Sequence, residues 1–137
     1  MKYVIALTCL LALGCAEKQP DPPAIEDANL VFYDLSGEVV AYALLDLPGE
    51  LPPVGDQWDG DCQLLWFSDG FPADKMAGDT YRGYVRDEWI SFDLNPDVAD
   101  HNIVFHGDFD DNPMDGSWAT ASIAGDTNQG TFELTRD

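Results

Sequence analysis

From Asn29 onward, apolar side chains recur at every second position, and each such run is cut short by glycine, proline, aspartate or asparagine. A period of two puts one face of an extended chain into a core and leaves the other in water, so these runs read as strands. The clearest case is Trp89-Ile90-Ser91-Phe92-Asp93-Leu94, where Ile90, Phe92 and Leu94 alternate with Ser91 and Asp93. It follows Thr80-Tyr81-Arg82-Gly83-Tyr84-Val85 across Arg86-Asp87-Glu88, giving strand, turn, strand. No long segment carries the helical period, which excludes helical bundles and α/β architectures.

The remaining runs are Leu30 to Tyr33, Gly37 to Leu47, Cys62 to Ser68, His101 to Phe109, Met114 to Ile123 and Gly130 to Arg136. Leu35-Ser36-Gly37-Glu38 bends the chain between the first two. The stretch Leu47 to Gly55 is a loop, because its prolines and glycines interrupt any ladder. Trp58-Asp59-Gly60-Asp61 reads as a tight Asp-Gly turn. Cys62 to Ser68 is almost wholly apolar, as in a strand buried on both faces. Ala73 to Ala77 has room for one helical turn. Asn95-Pro96-Asp97, Asp110 to Pro113 and Gly125 to Asn128 supply later turns.

Four runs contain glycine followed two positions later by an aromatic or aliphatic residue: Gly83-Tyr84-Val85, Gly107-Asp108-Phe109, Gly116-Ser117-Trp118 and Gly130-Thr131-Phe132. Glycine weakens a strand unless the sheet bends there or a side chain lies across it. Small closed sheets need such places. The fold expected for residues 29–137 is therefore all-β: a small antiparallel up-and-down barrel of about eight strands, with a β-sandwich as the alternative. The segment from Met114-Asp115-Gly116-Ser117-Trp118 to Gly130-Thr131-Phe132-Glu133-Leu134-Thr135-Arg136 resembles the closing hairpin of calycin-like barrels, and that resemblance implies the same fold. Cation–π attraction predicts Arg136 stacked on Trp118, a structural role.

Ahead of the strands, Lys2 precedes an uncharged apolar run that ends Leu11-Ala12-Leu13-Gly14-Cys15. A basic start, a short apolar core and a small residue before the cut describe a secretory signal, and the core falls short of the ~20 apolar residues a spanning helix needs. This ending resembles the lipobox of bacterial lipoproteins. The resemblance implies cleavage between Gly14 and Cys15, acylation of Cys15, and residence in the bacterial cell envelope. Ala16 after the cysteine favours the outer membrane. Residues 1–14 are thus expected to be a signal peptide. Residues 15–28, with Pro20, Pro22 and Pro23 and few apolar side chains, are expected to be a lipidated cysteine and an extended tether.

Removing the signal removes Lys2 and leaves 26 acids against 5 bases, a formal charge of −21. Such a chain repels nucleic acid and anionic lipid headgroups, so the membrane partnership rests on the acyl anchor alone. The acids of Asp108, Asp110, Asp111 and Asp115 are the candidate calcium ligands, since hard cations take clustered oxygens. Pro113 stands where an EF-hand loop needs glycine, and the other reading is a solvated turn. Asp56, Asp59 and Asp61 form a second acidic group with the same two readings. No other cofactor is expected.

Cys9 leaves with the signal and Cys15 is alkylated, so Cys62 is left without a disulfide partner. It reads as a small buried apolar residue. The sharper alternative is a thiol nucleophile served by His101 or His106. Those two histidines, five apart, face opposite sides of one strand and do not share a metal. Trp58, Trp66, Trp89 and Trp118 either fill the barrel or line a ligand cavity. Paired acids are too numerous to mark a glycosidase, and no Gly-x-Ser-x-Gly elbow or phosphate loop occurs. The expected function is a non-catalytic binding or structural module, with a small-molecule or protein partner. The alternative is a small hydrolase or thiol enzyme using Cys62 with a histidine, or an acid pair.

Overall fold

A computed structural model of the chain describes residues 25–121 and 128–136. Eight strands follow one another in chain order: β1 Leu30–Asp34, β2 Val39–Leu45, β3 Gln57–Phe67, β4 Thr80–Val85, β5 Ile90–Asp93, β6 Asn102–Gly107, β7 Met114–Ala121 and β8 Gln129–Leu134. Each pairs antiparallel with its neighbours, and β8 returns to pair with β1. The sheet is an up-and-down barrel closed on itself, as the strand pattern predicted, and has no free edge. One short 3-10 turn, Ala73–Lys75, interrupts the β3–β4 connection.

Closure sets inside and outside. Leu30 and Phe32 of β1, Ala41, Ala43 and Leu45 of β2, Tyr81 and Val85 of β4, and Ile90 and Phe92 of β5 point inward and are buried. Ile103 and Phe105 of β6, Met114 and Trp118 of β7, and Phe132 and Leu134 of β8 complete the interior. Large rings on β1 and β5–β8 share this interior with the two small alanines of β2, the mix of sizes a narrow barrel needs. The middle is an aromatic column. Phe92 stacks on Phe105 with centroids 4.6 Å apart, and Phe105 meets Phe132 at 4.8 Å and Phe32 at 5.4 Å. Phe71, from the β3–β4 connection, caps one end against Phe32 and Trp118.

Gly60 and Gly83 sit beneath side chains, whereas Gly107, Gly116 and Gly130 lie against neighbouring backbone. A Cβ at Gly83 would overlap the Trp58 indole, and one at Gly130 would overlap the Tyr33 carbonyl and the Trp118 indole nitrogen. These positions need glycine because another group occupies the space a side chain would take.

Two local expectations are corrected. Asp59-Gly60 is not a turn: β3 runs straight through it. Residues Gln57–Asp61 pair with β4, while Cys62–Phe67 pair with β2. A turn would have left β4 without its partner, and the Tyr81 ring covers Gly60 as Trp58 covers Gly83. Nor is Cys62 to Ser68 buried on both faces. Cys62 is fully buried, but Trp66 pairs with Tyr42 on the outer surface and Phe67 is 50% exposed. The run is apolar outside as well as inside, a pattern that periodicity alone cannot separate from double burial.

Candidate functional site: a cavity at one rim of the barrel

The starts of β1, β3, β5 and β7 and the ends of β2, β4, β6 and β8 share one rim of the barrel. The aromatic column does not fill this end. A cavity of about 580 Å³ opens there, with Ile90, Phe92 and Met114 on its floor. Leu45, Leu47 and Leu51 form one wall, and Asn29, Asn112, Thr135 and Arg136 supply polar groups at its edge. That size, with apolar and polar lining in nearly equal share, falls within the range of small-molecule sites.

The wall is held by hydrogen bonds that extend the ladder past the strand ends. Asn29 donates from Nδ2 to the Leu45 carbonyl at 2.8 Å and accepts at Oδ1 from the Leu45 N–H at 2.7 Å. Asn112 does the same for Arg136, accepting its N–H at 3.0 Å and donating to its carbonyl at 2.9 Å. A primary amide carries a donor and an acceptor side by side, as a peptide unit does, so each asparagine replaces a missing ladder rung. The Thr135 N–H donates to the Asn29 carbonyl at 2.8 Å and closes the seam. The β2–β3 loop is fixed from inside by the Tyr81 hydroxyl, which donates to the Asp46 carbonyl at 2.6 Å. Burial pushes that hydroxyl up to about 12.

Arg136 does not stack on Trp118. It follows Leu134, which pairs with Met114, whereas Trp118 pairs with Gly130 nearer the opposite rim. The guanidinium instead donates from one terminal nitrogen to the Asp111 carbonyl at 2.7 Å. Its Nε is buried and, among the described residues, meets no acceptor. The Trp118 indole donates to the Tyr33 carbonyl at 2.8 Å.

The other predicted site residues fall elsewhere. Cys62 is fully buried, and burial, with Asp79 nearby, pushes its thiol up to about 12. Such a thiol is no nucleophile at neutral pH. Neither histidine reaches it: His101 Nε2 lies 3.2 Å from the Asp74 carbonyl, and His106 Nε2 lies 3.3 Å from the Ser117 hydroxyl. The Ser117–His106 pair is exposed on the outer face, and among the described residues no carboxylate is bonded to the ring. Among the described residues no three carboxylate, histidine or cysteine groups converge as a metal site, those of Asp108, Asp110, Asp111 and Asp115 included. Asp108 instead accepts the Asp110 N–H at 3.0 Å and shapes its own turn. Asp59 of the second acidic group pairs with Arg82 at 2.7 Å. Only Trp58 and Trp118 join the core; Trp66 and Trp89 lie on the surface. Gly14 and Cys15 are outside the described residues.

No protein-family model, curated protein or solved structure matches the chain.

Proposed function

We propose that the chain is an envelope lipoprotein, anchored through acylated Cys15, whose barrel is a non-catalytic module that binds a small apolar molecule in the rim cavity. The observation that carries the binding half is the cavity of about 580 Å³ at the rim beyond the aromatic column, lined by loop leucines together with Asn29, Asn112 and Arg136. Half-buried Leu47 and Leu51 of the β2–β3 loop, set beside the fixed polar groups of Asn29 and Asn112, suit a ligand with an apolar part. A non-catalytic role is favoured because the candidate nucleophile is buried and its histidines stand apart from it. The tether half rests on the lipobox residues.

Binding is tested by titrating the protein with N-phenyl-1-naphthylamine, a neutral dye that fluoresces when shielded from water. Saturable enhancement that Met114→Trp blocks supports the cavity as the site; enhancement unchanged in that variant places the dye elsewhere. Anchoring is tested by labelling growing cells with radioactive palmitate. Label on the wild type and none on Cys15→Ser is the expected result, and equal label on both would refute acylation at that sulfur.

A further inference from the structure

We propose that the rim cavity selects an organic anion, an apolar body carrying one carboxylate or sulfonate, and that Arg136 is the group that meets the charge. The inference rests on reading the cavity as a ligand site and adds the chemical class of its occupant.

Arg136 lines the cavity, and among the described residues its buried Nε has no acceptor. A buried donor on a charged group that lacks a partner is costly, and native proteins leave few of them. The side chain is also preset. Its backbone is gripped on both sides by Asn112, and its terminal nitrogen is held by the Asp111 carbonyl. A guanidinium fixed in this way keeps a planar fork of donors ready for an oxyanion, and little side-chain freedom remains to be lost on binding. Among the described residues no carboxylate forms an ion pair with it, although the chain has 26 acids.

The other described cations are engaged or distant. Arg82 pairs with Asp59, Arg86 lies 5.7 Å from the ring centres of both Tyr84 and Trp89, and Lys75 sits in the 3-10 turn at the opposite rim. The positive group at the cavity is therefore local, set in a protein of formal net charge −20. The distant field repels anions and is screened by salt, whereas a direct contact with the half-buried Arg136 side chain is screened less. Binding of the anion should consequently hold or strengthen as salt rises, the reverse of a surface-charge attraction.

The test uses the full-length chain carrying Cys15→Ser, so that no acyl chain competes, and two dyes with the same aromatic body. N-phenyl-1-naphthylamine is neutral, and 1-anilinonaphthalene-8-sulfonate adds one sulfonate. The expected result is that the sulfonate dye binds at least about tenfold more tightly, as one charge-assisted contact supplies. Arg136→Gln should erase that difference and leave the neutral dye unchanged, while Arg136→Lys should retain part of it. Equal affinities, or a preference that survives Arg136→Gln, would overturn the anion inference and leave the cavity as a neutral site. Failure of both dyes to bind would overturn the ligand-site reading itself. If Arg136→Gln does not fold, competition on the otherwise unchanged protein decides. Octanoate should displace the neutral dye at a tenth or less of the concentration of 1-octanol, against their order of hydrophobicity, and displacement in the opposite order would refute the proposal.

Discussion

The Trp58 indole N–H donates to the Tyr81 hydroxyl at 2.9 Å, and that same hydroxyl donates to the Asp46 carbonyl at 2.6 Å. One oxygen thus joins β3, β4 and the loop that walls the cavity. Tyr81→Phe keeps the ring over Gly60 but leaves the indole N–H and the carbonyl without this partner. It should cost about 1–3 kcal/mol, the range for unsatisfied buried groups. Urea denaturation reads the loss directly. An unchanged midpoint would mean that water replaces the hydroxyl without penalty.

Gly83 and Trp58 should behave as one unit. Gly83→Ala places a methyl group where the indole lies and should destabilise the barrel by about 1–3 kcal/mol, the usual cost of overpacking. Shrinking the indole to leucine should remove most of that penalty while introducing its own. The double mutant should therefore be more stable than the sum of the single losses predicts. Strict additivity in denaturation midpoints would show that the contact does not constrain position 83.

Cys62 should be silent toward thiol reagents in the folded protein at neutral pH and react quickly in denaturant. Its folded thiol is raised to about 12, whereas an unfolded cysteine titrates near about 8.5. Between those values the unfolded state holds fewer protons than the folded one, so the stability this group provides is full below about pH 8.5 and drains away as pH rises toward about 12. The stability gap between wild type and Cys62→Ala should accordingly narrow from pH 8 upward in thermal melts. A gap independent of alkaline pH would contradict the burial of the thiol.

Asp34 shapes the β1–β2 turn. Its Oδ1 accepts the Ser36 hydroxyl at 2.6 Å, the Ser36 N–H at 2.8 Å and the Glu38 N–H at 3.0 Å. The Ser36 hydroxyl, helped by the backbone donors, lowers the carboxyl below its ordinary value. A lowered acid stabilises above the unfolded value of about 3.9 and loses that contribution as pH falls through the folded value. Asp34→Ala should therefore lower the melting temperature at neutral pH, and the difference from wild type should shrink below about pH 4. A difference that persists at pH 2 would point to packing rather than charge.

Much of the barrel is legible because inward residues such as Ile90, Phe92, Ile103 and Phe105 obey the two-residue period and the turns carry proline, glycine and asparagine. The reading failed where one signal has two meanings. Asp59-Gly60 is a turn signal, yet here glycine makes room for the Tyr81 ring. Cys62 to Ser68 reads as interior, yet its apolar surplus lies outside. The rim cavity left little trace, because Asn29, Asn112 and Arg136 are far apart in the chain and are joined by register alone. Arginine just past the last strand was visible. Its rim depends on the β7–β8 register, which sets Trp118 opposite Gly130 and Met114 opposite Leu134 and so keeps Arg136 away from the indole.

The seam between β1 and β8 brings Leu30 opposite Leu134 and joins Thr135 to Asn29 by a 2.8 Å hydrogen bond. The described polymer thus begins and finishes side by side. A few added residues could splice those neighbours together, and fresh termini could be cut at exposed Leu35 on the far rim, without rewriting a single strand pairing. Such a rearranged gene would release the cavity wall from its old starting point and allow a payload to be hung from the other side of the cylinder.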